Sequence, residues 1–201
     1  MLYYFARFIF LIYLKVFYRI TIFGRTNIPG RKPFIVCANH ISWHDPLSVG
    51  VALAARYRIN YMAKKELFSN FILRFLLIRA GAFPVNRQEA DLIAVKKAYL
   101  ILKEGNVLGL FPEGTRSASG VMQKAYNGAA LIAVRSGVPI LPVAIEGPYR
   151  LFKPVKVHIG KPFVLPPLIY EQKNKKREQL EEMSDLIMNT ISRLLTEQKN
   201  K

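Results

Sequence analysis

Three short apolar runs in this chain each end abruptly at a polar cluster, and this repeated pattern constrains the fold more than any other feature. Phe34-Ile35-Val36-Cys37-Ala38 leads into Asn39-His40-Ile41-Ser42-Trp43-His44-Asp45-Pro46. Gly81-Ala82-Phe83-Pro84-Val85 leads into Asn86-Arg87, and Val107-Leu108-Gly109-Leu110-Phe111 into Pro112-Glu113-Gly114-Thr115-Arg116. Such runs read as buried strands, and an open α/β sheet keeps its chemistry just beyond the carboxyl ends of its strands. Asp45-Pro46 also reads as a helix start, with Asp45 as the capping residue and Pro46 at the first helical position. On that reading alone, Asp45 is a cap and the two histidines are loop residues.

The spacing between these runs predicts helices over residues 47–55, 64–79, 89–104, 126–136 and 178–195, and further strands over 59–63, 139–145 and 155–160. Alternation of strands and helices makes the chain α/β, with a largely parallel central sheet flanked by helices. The helix through Arg79 is apolar over most of its circumference, so it is either deeply buried or shares a membrane with the N-terminus. At 201 residues the chain is one ordinary domain. It divides into a helix over 1–23, a linker over 24–32 containing Pro29 and Gly30, and a domain proper over 33–201.

Residues 1–23 are strongly apolar and aromatic, interrupted by Arg7, Lys15 and Arg19. The uncharged stretch from Phe8 to Leu14 is far short of the ~20 residues a spanning helix needs. At about 100° per residue the three cations share one sector of about 120°, leaving a broad apolar face. An amphipathic helix in the membrane interface with its cations toward the headgroups fits this pattern. A helix packed on the domain and a tilted span with snorkelling cations are the other two placements. No small-residue cleavage site follows the apolar core, so a removed signal peptide is not expected.

Lys+Arg 30 against Asp+Glu 13 gives a net charge of +17 in a chain that is still 51% hydrophobic. That combination points to an anionic membrane surface or an acidic carrier more than to nucleic acid. The single cysteine, Cys37, excludes an internal disulfide and any multi-cysteine zinc site.

Taken together, the polar clusters resemble the motifs of the glycerolipid acyltransferases, in particular those acting on 1-acylglycerol-3-phosphate (lysophosphatidic acid). Residues 39–45 match the family's first motif, a His and an Asp with four residues between. Residues 81–87 are similar to the second, with Asn86 where an aspartate is common. Phe111-Pro112-Glu113-Gly114-Thr115-Arg116 matches the third, and Val138-Pro139-Ile140-Leu141-Pro142-Val143 resembles the fourth. The resemblance implies a membrane-associated enzyme at the cytoplasmic face that makes phosphatidic acid in phospholipid biosynthesis. It also implies that the third motif holds the lysophospholipid head.

The residues suit that chemistry independently. Moving an acyl group from a thioester to an alcohol needs a base beside the hydroxyl, and His40 can be that base. Asp45 would accept from its other ring nitrogen, as in a serine-protease triad whose serine is supplied by the substrate. His44 is the rival base, but it adjoins Asp45, where pairing is awkward. No Gly-x-Ser-x-Gly elbow exists, so direct transfer without an acyl-enzyme is expected. Arg87 and Arg116 suit a phosphate monoester, Gly114 lets backbone approach a ligand, and Thr115 adds a hydroxyl. Glu113 either binds glycerol hydroxyls or holds Arg116, and Lys124 either assists the phosphate or the carrier or is a solvated loop lysine.

No cofactor is expected beyond an acyl-CoA or acyl-acyl carrier protein donor, and the positive charge suits both. Glycerol-3-phosphate or another lyso-lipid is the alternative acceptor. Two readings from other classes remain: a metal hydrolase using His40, His44, Asp45 and His158, with a poor ligand set, and a catalytically inactive lipid-binding relative.

Overall fold

A computed structural model describes residues 2–31, 33–53, 57–86, 91–117, 120–169 and 173–197. Among the described residues, seven strands form one sheet in the order β1-β7-β6-β2-β5-β3-β4. They are β1 (Thr21–Phe23), β2 (Phe34–Ala38), β3 (Ile59–Lys64), β4 (Ala82–Val85), β5 (Val107–Leu110), β6 (Ile140–Glu146) and β7 (Lys156–Ile159). β6, β2, β5, β3 and β4 run parallel; β7 is antiparallel to β6 and carries β1 parallel to itself. Every residue of β2 and β5 is buried, as two-sided burial in a parallel sheet requires. The largely parallel α/β sheet is therefore as expected.

Alternate side chains of β2 feed two cores. Ile35 and Cys37 join Leu108 under α4 (Leu92–Lys103), α5 (Gly128–Ser136) and α6 (Lys173–Glu197). The small residues Ala94, Ala98, Ala129, Ala130 and Ala133 bring α4 and α5 close to the sheet. Phe34, Val36 and Ala38 join Val107 and Leu141 beneath α1 (Leu2–Tyr18) and α2 (Asp45–Ala52). Gly109 is required within β5, because a Cβ there would lie 2.4 Å from the Tyr61 ring on β3.

Several boundaries differ from expectation, each for a local reason. The N-terminal helix ends at Tyr18, not Phe23: Arg19 adopts φ 42°, and Thr21 N–H then donates to Val155 O at 2.9 Å. Residues 21–23 become a sheet strand, and the segment expected as a linker is held to the domain. Asn27 Nδ2 donates to Ile159 O at 2.8 Å, and the Tyr57 hydroxyl donates to Pro29 O. The helix expected over 64–79 is divided. Lys64 belongs to β3, a 3-10 turn follows over Lys65–Phe68, and Asn70 caps α3 (Phe71–Arg79) by accepting from Leu73 N–H at 3.0 Å. α4 is capped by Asp91, which accepts from Ala94 N–H at 2.8 Å, and α6 begins at Lys173, before the expected start.

α1 is packed on the domain along one side. Leu14 is fully buried against the domain, and Arg7 turns inward, donating to Gly50 O at 2.9 Å, Val51 O at 3.0 Å and Leu53 O. Those carbonyls are the unpaired C-terminal end of α2, where a cation is favoured. Arg7 therefore does not share the outward position expected for all three cations. The opposite side of the helix leaves Phe5, Phe8, Ile9, Ile12 and Val16 exposed. Among the described residues, no helix is long and apolar enough to cross a membrane, which sets aside the tilted span for them.

His158 of β7 is stacked on Phe23 of β1, ring centroids 5.0 Å apart, with Nε2 at 3.4 Å from Glu146 Oε2. Burial lowers its pKa from the ordinary 6.5, against the opposing pull of Glu146. As pH falls, the unfolded chain takes up this proton before the folded one does, so the stabilising contribution is complete above 6.5 and is lost below it. The melting temperature should fall between about pH 7.5 and pH 5, and less steeply in His158→Gln. Parallel profiles for the two proteins would show that His158 does not contribute.

Candidate active site

Five strands point their carboxyl ends to one edge of the sheet, and β2 and β5 are neighbours there. Their loops meet as a result. His40 N–H donates to Glu113 Oε1 at 2.8 Å, and Ser117 N–H to His40 O at 2.8 Å. Asn39, 1% exposed, extends the β2–β6 pairing by one step with its side chain. Its Nδ2 donates to Ile145 O at 3.0 Å, and its Oδ1 accepts from Ile145 N–H at 2.7 Å. The backbone from which His40 projects is thus fixed on both sides.

The Asp45 carboxylate is fully buried in the first turn of α2. It does not cap that helix, as the sequence suggested; His44 occupies the cap position. Asp45 Oδ2 instead reaches back, accepting from Ile41 N–H at 2.6 Å, Ser42 N–H at 2.7 Å and His40 Nδ1 at 2.8 Å. An ionised carboxylate accepting from Nδ1–H leaves the lone pair of His40 on Nε2. No described residue makes a hydrogen bond to Nε2. The imidazole is stacked on Phe111 at 4.2 Å between centroids, and its side chain is 12% exposed.

His44 is occupied otherwise. Nδ1 lies 3.0 Å from Ser42 Oγ and Nε2 3.1 Å from the Tyr13 hydroxyl of α1. The ring packs on Tyr18 and Tyr149. Burial lowers its pKa, against the charge of Asp45. Both of its ring nitrogens are thus engaged within the protein, unlike those of His40. His158 is on β7, beside Glu146.

The third cluster divides its work. Glu113 is 1% exposed, and its carboxylate accepts from the backbone of His40 and, through Oε2, from Gln123 N–H at 2.9 Å. Burial raises its pKa, and the two N–H donors oppose the shift. Gly114 turns the chain at φ 67°, where Tyr126 leaves no room for a Cβ. Thr115 and Arg116 project outward, and the Arg116 guanidinium lies 4.0 Å from the Trp43 ring centroid. An exposed guanidinium held over an indole face keeps donors available to a phosphate. Lys124 points to α6, its ammonium 4.0 Å from Glu181 Oε2. Arg87 lies outside the described residues; Asn86, which precedes it, donates its N–H to Asp91 Oδ2 at 2.8 Å.

Two supporting residues escaped the sequence analysis. Ser48, one turn after Asp45 on α2, and Tyr149, beyond β6, join their hydroxyls at 2.8 Å. Burial, and after it the charge of Asp45, pushes the Tyr149 hydroxyl well above its ordinary pKa, so it stays protonated beside the carboxylate. The i, i+3 spacing of Asp45 and Ser48 was the available signal; nothing in the sequence marked Tyr149.

Fold and site together define an α/β enzyme with a carboxylate-oriented histidine at a strand end. Residues 19–146 match the family model described as Acyltransferase. The 1-acyl-sn-glycerol-3-phosphate acyltransferase of Bacillus subtilis is 36% identical over 71% of this chain and 73% of its own length. That of Streptococcus pneumoniae is 33% identical over 86% of this chain and 65% of its own length. The crystal structure of the 1-acyl-sn-glycerophosphate (LPA) acyltransferase PlsC from Thermotoga maritima superposes with a TM-score of 0.60, at 28% identity, over 87% of this chain and 72% of that one. The chain belongs to this acyltransferase family.

Replacing Asn39 by alanine removes both bonds to Ile145 and leaves a buried N–H and C=O unpaired. Asn39→Ala should cost roughly 2–5 kcal/mol in urea unfolding. A midpoint shift of only a few tenths of a molar would show that the clamp is not structural.

Proposed function

We propose that this protein transfers a fatty acyl group from an acyl thioester to the sn-2 hydroxyl of 1-acylglycerol-3-phosphate, giving phosphatidic acid. The observation that carries this reading is the His40–Asp45 pair, 2.8 Å apart, with Nε2 left for a substrate beside the loop that bears Arg116. The names of the relatives support the same acceptor.

In the reaction His40 Nε2 takes the hydroxyl proton while the alkoxide oxygen bonds to the thioester carbonyl carbon. Asp45 stabilises the imidazolium that forms. The tetrahedral intermediate collapses by breaking the C–S bond, and the imidazolium returns its proton to the leaving thiolate. The enzyme carries no acyl group at any stage. Cys37 has no part in this, since burial pushes its thiol up to about 12. Arg116, with Arg87, binds the phosphate monoester. Glu113 positions His40 through the backbone rather than touching the acceptor.

The donor is acyl-CoA or acyl-acyl carrier protein, drawn by the net charge of +17. The outward stripe of α1 docks the domain on an anionic membrane, where the one-chain acceptor resides.

The test is transfer from a labelled acyl thioester to lysophosphatidic acid, glycerol-3-phosphate and lysophosphatidylcholine. Lysophosphatidic acid should be the preferred acceptor, and His40→Ala should lower kcat by roughly 10²–10⁴-fold. Unchanged turnover in His40→Ala would overturn the assignment of the base. Arg116→Ala should raise KM for lysophosphatidic acid by about tenfold or more, since a charge-assisted contact is lost. Equal impairment with a neutral acceptor would refute the phosphate role.

A further inference from the structure

α3 is apolar at seven of its nine positions, yet none of its residues is buried. Phe71 is 82% exposed, Ile72 68% and Leu76 55%, and Phe75 and Ile78 are also open. The helix rests on the 3-10 turn before it and on β4, the edge strand. A helix that is apolar around its circumference and faces no protein core matches an apolar medium rather than water.

Two observations indicate what covers it. The only charged residues on α3 are Arg74 and Arg79, and no acidic residue occurs from Leu67 to Gln88. The Arg79 guanidinium lies 4.7 Å from the Phe75 ring centroid, a cation kept against the apolar surface as at a lipid headgroup boundary. The sheet supplies the second. β2 to β3 and β3 to β4 are steps in one direction across it. Right-handed crossovers therefore put α3 on the same sheet face as α2, the face that α1 also covers.

From these we infer that α3 inserts into an anionic phospholipid surface as a second docking element, on the same face as the exposed stripe of α1. The inference extends the membrane-docked reading given above. In the sheet order, β2 and β5, which carry the His40 and Glu113 clusters, lie between the β1–β7 side, into which α1 leads, and the β4 edge beside α3. Docking at both sides places the mouth of the site against the bilayer, so a lyso-lipid reaches His40 without leaving the interface. A second copy of the chain is a poor occupant, because each copy carries +17 and would bring Arg74 and Arg79 with it.

Because Cys37 is buried and its thiol pushed up to about 12, an introduced cysteine can be labelled selectively. A polarity-sensitive dye on Ile72→Cys should shift to the blue with vesicles of phosphatidylglycerol and phosphatidylcholine, and be quenched by lipids brominated high on the acyl chain. The same dye on Asp185→Cys of α6 should not respond. Phe71→Ser/Ile72→Ser/Leu76→Ser should reduce partitioning onto these vesicles by about tenfold or more, with an unchanged circular dichroism melt, since no buried side chain is altered. Vesicle binding with no spectral change at residue 72, or partitioning unaffected by the triple substitution, would overturn the inference. So would a blue shift that appears without vesicles as protein concentration rises, since that places a second copy on α3. None of these readouts depends on acyl transfer, so they stand apart from the success or failure of the catalytic assignment.

Discussion

The site depends on one oxygen atom. Asp45 Oδ2 takes two backbone N–H groups and the His40 imidazole at once, in a fully buried position at the start of α2. A buried carboxylate with a single partner would be costly, but three donors and the positive end of a helix offset the lost hydration. The four residues between His40 and Asp45 follow from this geometry. They form the turn whose first two N–H groups the carboxylate accepts, so the ring and the turn are fixed by the same atom. One residue fewer would leave no room for the turn, and one more would carry the carboxylate along the helix away from the ring.

Around that atom the protein is rigid by design of its backbone rather than by bulk. Asn39 ties the end of β2 to β6, and Glu113 ties it to β5 and to the loop at Gln123. Both side chains are almost fully buried and both spend their polar atoms on main-chain groups. The parallel sheet makes this possible, because neighbouring strands end at one level and their loops lie within a single side chain's reach. The more exposed groups, Thr115 and Arg116, then stand on a fixed platform.

The sheet and the pairing of His40 with Asp45 were readable in the sequence because each rests on local information. Phe34–Ala38 and Val107–Leu110 are apolar at every position, and the polar clusters follow them directly. What escaped depends on residues far apart in the chain. β1 exists only because β7 supplies its partner, so the helical spacing was read through Phe23. Arg7 finds the end of α2 more than forty residues away, and Tyr149 finds Ser48 across 101. The two main-chain donors to Glu113 are of the same kind, since its burial is visible only in three dimensions. Lys124, read as open to either role, is drawn toward Glu181 on α6.

α1 packs on the domain along one side and keeps an apolar stripe open on the other. Leu14 and Tyr18 bury one side of the helix, and Tyr13 reaches His44 at 3.1 Å. At its other end Arg7 caps α2. The helix that carries the exposed stripe of Phe8, Ile9, Ile12 and Val16 therefore also braces both ends of the helix that holds Asp45. The stripe therefore belongs to the same packed unit as the turn that bears His40 and Asp45.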